Sequence, residues 1–176
     1  MASEALIPMT IMSTAVNDDV PRLLGPDMFA FEFDAELRRA VRLRTQLTLV
    51  VVEAVGDREA TPLPVTEMYS TPPLGQIAKL VGTRIRETDL LGQTAAGALS
   101  LVLVDADYEH STHVINRLVS RIEREAFGQP VKIQFGAACY PSHALDAASL
   151  TREALSRRVA NCHGGIEPAP ADSPSY

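Results

Sequence analysis

Cysteine is scarce in this chain of 176 residues: there are two, Cys139 and Cys162, and they form no CxxC pattern. That suits a reducing compartment, and a cytoplasmic location is expected. Basic residues are outnumbered, 16 against 22 acidic, giving a formal net charge of −6. Such a balance argues against indiscriminate binding to nucleic-acid polymers or anionic membrane surfaces. It leaves room for a small anion held by a few local arginines. No apolar run approaches the roughly 18 residues of a membrane-crossing helix, so no membrane insertion is expected. The opening stretch MASEALIPMTIMSTAVNDD has an apolar patch, but Glu4 comes early and the first basic residue is Arg22. A secretion signal with a basic n-region is therefore not expected.

An apolar fraction of 46% with mixed charges reads as a globular domain with frayed ends. Residues 1–25 lack a clear period and are expected to form an arm; residues 26–165 form the domain, and the tail 166–176 is expected to be disordered. GPDMFAFEFDAELRRAVRLR predicts a helix with Asp27 as its cap and Phe29, Phe33, Leu37 and Val41 on one face. LTLVVVEA (47–54) is a continuous β-branched run, the signature of a central strand. A Pro-rich loop follows. LGQIAKLVGTRIRE then predicts a helix with Leu74, Ile77, Ala78, Val81 and Ile85 inward.

Next comes a hairpin, with a short strand near 89–94, a turn at Ala95–Ala98 and a second strand at 99–104. THVINRLVSRIEREAF predicts an amphipathic helix with Arg117, Arg121 and Arg124 outward or edge-on. VKIQFGAACYP (131–141) alternates as a strand that Pro141 ends. The last helix is expected over SLTREALSRRVANCHGG, capped by Ser149 and stopped by Gly164. The core order is strand, helix, two-stranded hairpin, helix, strand. This is the α+β, ferredoxin-like βαββαβ pattern, with an antiparallel sheet and flanking helices.

These blocks, in this order and spacing, resemble the GGDEF domain of diguanylate cyclases over about residues 27–164. The resemblance is carried by FDAELRRAVRLRTQLTLVVVE, LGQIAKLVGTRIRETDLLGQ, LSLVLVDAD and FGAACYPSHALDAASLTREAL. It is a resemblance to a degenerate member. The signature pentapeptide falls on Ala95, Ala96, Gly97, Ala98 and Leu99, where the family places carboxylates that hold two divalent metals against a nucleotide triphosphate. Hard cations need oxygen ligands, and these side chains offer none. Glu53 takes the first-strand carboxylate position, but the second acid two residues on is Val55. Ser70–Thr71 stands near the family's usual Gly-Asp, and about Val159 replaces its phosphate lysine. On these departures the chain is expected not to be an enzyme and to need no metal or other cofactor.

The family's inhibitory product site fares differently. Its RxxD motif ends five residues before the signature, and here Arg86-Glu87-Thr88-Asp89 is followed by Leu90–Thr94 and then Ala95. The second arginine of that site matches Arg117, and Arg39 and Arg42 of the first helix are secondary candidates. The resemblance therefore implies a cyclic di-GMP receptor, with ligand bound as two intercalated molecules. A guanidinium can donate two parallel bonds to guanine O6 and N7 and stack on a base. A carboxylate suits the guanine N1–H and amino donors. Output is expected through an unidentified protein partner or a ligand-bridged homodimer.

Plainer readings stand beside these. Arg86 and Asp89 three apart are commonly a solvated ion pair worth under about 1 kcal/mol, and the dead fold would then be a nucleotide-independent interaction scaffold. A third reading keeps nucleotide, without metal, at the degenerate turn. His110 and His113, beside Asp105, Asp107 and Glu109, fall short of a metal set and fit a helix-start loop. Cys139 is expected in the core, and Cys162 lacks a base partner.

Overall fold

A computed structural model of the chain describes residues 22–55, 72–125 and 132–161. The arm over 1–21, the Pro-rich loop with Ser70–Thr71, Cys162, Gly164 and the tail lie outside the described residues. In chain order the elements are β1 (Leu23–Leu24), α1 (Pro26–Leu43), β2 (Leu47–Val55), α2 (Pro72–Gly82), β3 (Leu90–Gln93) and β4 (Leu99–Val104). They continue with α3 (Tyr108–Glu123), β5 (Lys132–Tyr140), α4 (Ala147–Ser156) and β6 (Val159–Asn161). The six strands form one sheet in the order β1-β3-β4-β2-β5-β6. All pairings are antiparallel except the two-residue β1–β3 edge. The fold is α+β, and its β2-α2-β3-β4-α3-β5 core has the expected ferredoxin-like order.

The apolar run of β2 follows from its place at the centre of the sheet. Leu47, Leu49 and Val51 face one layer, with Phe29, Phe33 and Leu37 of α1 and Leu150 and Ala154 of α4. Val50 and Val52 face the other, with Ile77 and Val81 of α2 and Ile115, Leu118 and Ile122 of α3. A strand covered on both sides has no face left for polar residues.

Several boundaries differ from expectation, each for a local reason. Helix α1 starts at Gly25 as cap with Pro26 behind it, and Asp27 lies in the first turn. Ala40, not Val41, closes its buried stripe. At 100° per residue, position i+11 returns to within about 20° of Phe29, and i+12 overshoots to about 120°. Helix α2 ends at Gly82 instead of running to Glu87: the Thr83 hydroxyl donates to the Leu80 carbonyl at 2.9 Å, and Arg84 N–H donates to Val81 at 2.8 Å.

Helix α3 begins four residues before Thr112 because Asp107 caps it, its carboxylate accepting from His110 N–H at 2.7 Å. His110 and His113 are thus on the helix, not in a loop before it. Asp146, not Ser149, caps α4, and the chain leaves that helix at Ser156 for the edge strand β6. Strand β1, which pairs Leu23 with Leu91 and Leu24 with Gly92, was not foreseen.

Candidate functional site

The RETD segment lies in the turn between α2 and β3. Asp89 N–H donates to the Arg86 carbonyl at 3.1 Å, closing the turn. The Asp89 side chain then folds inward. One carboxylate oxygen accepts from Arg86 N–H at 2.9 Å and the other from Val104 N–H at 3.2 Å, at the end of β4. Asp89 is 7% exposed, a buried carboxyl group held by two main-chain donors. Its carboxylate is not paired with the Arg86 guanidinium, so the solvated ion-pair reading does not describe this turn. Nor does the carboxylate project toward solvent as a guanine reader would.

Arg86 is exposed. Arg117, on α3, is exposed as well and reaches the turn: its Nη2 donates to the Arg84 carbonyl at 3.5 Å. The fold therefore brings Arg117 beside the RETD turn, because α2 and α3 share one face of the sheet. Arg39 and Arg42 are on α1, which packs on the opposite face. Arg39 is paired with Glu36 at 3.0 Å. Within one chain they do not meet Arg86.

One residue that holds this turn escaped the sequence reading. Arg22, just ahead of β1, donates through Nη2 to the carbonyls of Arg86 at 2.7 Å and Asp89 at 3.4 Å. A lone arginine before a two-residue strand carries no periodic signal that would have found it.

The signature turn is a tight hairpin. Thr94 N–H donates to Ala98 at 2.9 Å, Gly97 N–H to Thr94 at 2.8 Å, and Gly97 takes φ 83°. Only a residue without Cβ adopts that conformation at little cost. Glu53 lies one residue past the Val52–Leu99 pair and so beside this hairpin. Its carboxylate is ion-paired with Arg158, from the turn after α4. A guanidinium thus sits on the one carboxylate that sequence resemblance assigned to the family's metal position.

No family model matches the chain, and no curated protein matches it. Solved structures do. A diguanylate cyclase protein from Thermotoga maritima superposes with a TM-score of 0.64 at 17% identity, over 81% of this chain and all of that one. The active GGEEF domain of a diguanylate cyclase from Vibrio cholerae gives 0.61 at 18% identity, over 76% and 87%. The coiled coil and GGDEF domain of DgcB from Caulobacter crescentus, in complex with c-di-GMP, gives 0.59 at 12% identity, over 76% and 73%.

These neighbours correct one expectation. The sequence departures led to the expectation that the chain is not an enzyme, whereas the structures that share its fold include a DGC protein and the active domain of a diguanylate cyclase. The chain has the fold of a GGDEF domain.

Proposed function

We propose that the chain is a bacterial receptor for cyclic di-GMP, binding it where the RETD turn meets α3. The observation that carries this reading is that the exposed Arg86 stands on a turn whose backbone Asp89 and Arg22 hold, two residues from the Arg84 carbonyl to which the exposed Arg117 donates. Arg86 reads guanine through two parallel donors, and Arg117 takes a phosphate or stacks on a base. Asp89 acts as a positioning residue for the turn. The DgcB domain, whose fold this chain shares, is solved with c-di-GMP. Binding of this kind needs no metal and does not depend on turnover. Ligand intercalated between two copies, or a changed surface offered to a protein partner, converts binding into a signal by differential affinity for two states. A cytoplasmic location belongs to the same reading. Among the described residues no helix is long and apolar enough to cross a membrane.

The experiment is calorimetric titration of the full chain with cyclic di-GMP at fixed salt, beside Arg86→Ala and Arg117→Ala. Micromolar or tighter binding, lost in either variant with unchanged melting, supports the receptor. Absence of heat at high ligand concentration overturns it. A second reading, a nucleotide-independent interaction scaffold, is favoured by Met28 and Phe31, 53% and 64% exposed one turn apart on α1. In that case partner binding survives Arg86→Ala and fails on Phe31→Ser.

A further inference from the structure

We infer that the groove between the exit of α2 and the outer face of α3 is the phosphate seat of the ligand site, with Arg84, Arg121 and Arg124 joining Arg117. The identity of the ligand rests on the cyclic di-GMP reading above; the location of the charge rests on the groove itself. The groove has a volume of about 650 Å³, within the range of small-molecule sites. Arg84 and Ile85 form one wall, Arg117, Arg121 and Arg124 the other, and Leu118 contributes apolar surface between them. No carboxylate lines it, and among the described residues none of these four arginines is in an ion pair.

In a chain of net charge −6, four guanidiniums around one groove with no counter-ion among the described residues are the reverse of the average surface. Arg117 and Arg121 on α3, with Arg124 at its C-cap, recur at i, i+4 and i+7 on one side of the helix, where like charges oppose helix formation. The helix dipole favours Arg121 and Arg124 at the C-terminal end. It gives no reason for Arg117 in mid-helix or for Arg84 on the facing turn. A phosphate-bearing ligand does, since it sets negative charge between them and takes forked donors from two walls. The inward turn of Asp89 fits the same picture, as it ties that carboxylate to Arg86 N–H and Val104 N–H.

The test titrates the full chain with cyclic di-GMP and, separately, with inorganic pyrophosphate, comparing wild type, Arg121→Gln/Arg124→Gln and Arg86→Ala. The expected result is that the double variant weakens cyclic di-GMP binding by about tenfold or more and reduces its salt dependence, with unchanged melting. Undiminished binding in the double variant, with loss in Arg86→Ala, overturns the groove and leaves the receptor standing. Pyrophosphate binding that the double variant abolishes, with no response to cyclic di-GMP, overturns the receptor and leaves the groove as a phosphate seat. Silence toward both overturns both.

Discussion

The Nη2 of Arg22 lies 2.7 Å from the main-chain carbonyl oxygen of Arg86, across 64 residues of sequence. It joins the segment that enters the domain to the turn that carries the candidate site. Together with β1, which adds two residues to the sheet beside β3, it gives the entering chain two independent holds on the same region.

Removing that hold should loosen the turn locally. Arg22→Ala is expected to raise amide exchange at residues 86–92 and to cost roughly 1 kcal/mol of stability, with exchange in β2 unchanged. Hydrogen exchange with mass spectrometry checks this; an unaltered rate at the turn would show that the contact carries no load.

Asp89 and Arg86 should separate cleanly in stability measurements. Asp89→Ala leaves Arg86 N–H and Val104 N–H without their acceptor, at a cost on the order of 2–4 kcal/mol. Arg86→Ala, at an exposed side chain, should stay within about 0.5 kcal/mol of wild type. Urea denaturation of both variants decides it. Equal effects would mean that the motif is a surface pair after all.

Stability should rise with pH through the histidine range. Burial holds the His143 imidazole below its ordinary 6.5, and the nearby Arg157 adds to the effect. The neutral ring accepts from Cys139 N–H at 2.8 Å. The unfolded chain takes up that proton first, so the contribution is full above pH 6.5 and is lost as pH falls through the lower folded value. Urea midpoints measured from pH 7.5 to 5 should slope less in His143→Gln. A second loss belongs in stronger acid. Asp107 and Asp146 are held below 3.8, first by the main-chain N–H groups of His110 and Ser149. Their capping is present above 3.8 and disappears as pH drops through their folded values.

Gly136, at the middle of β5, should tolerate no side chain. A Cβ there would stand 1.9 Å from the Ala154 carbonyl oxygen of α4. Gly136→Ala is expected to lower stability by about 1–3 kcal/mol or more, read as a fall in melting temperature. A neutral substitution would mean that α4 shifts freely on the sheet.

The parts of the fold set by burial were legible in the sequence. The run LTLVVV declares a strand covered on two faces, and Phe29, Phe33 and Leu37 declare one stripe of a helix. The parts set by single hydrogen bonds between distant residues were not. The RETD spacing is visible, but the partner that turns Asp89 inward is a backbone amide 15 residues on. Likewise the ion pair between Glu53 and Arg158 spans 105 residues, and no local pattern joins them. Strands of two and three residues, such as β1 and β6, are shorter than any period that could reveal them.

The sheet order has a mechanical consequence. The first and last strands of the described chain, β1 and β6, are its two opposite rims, and β2 lies between their neighbours. Tension applied between Leu23 and Asn161 would load the short outer pairings before the long central ones, peeling the sheet from both sides. A pull through the entering segment would meet Arg22 first, so force arriving there would reach the RETD turn while the hydrophobic layers around β2 remained intact.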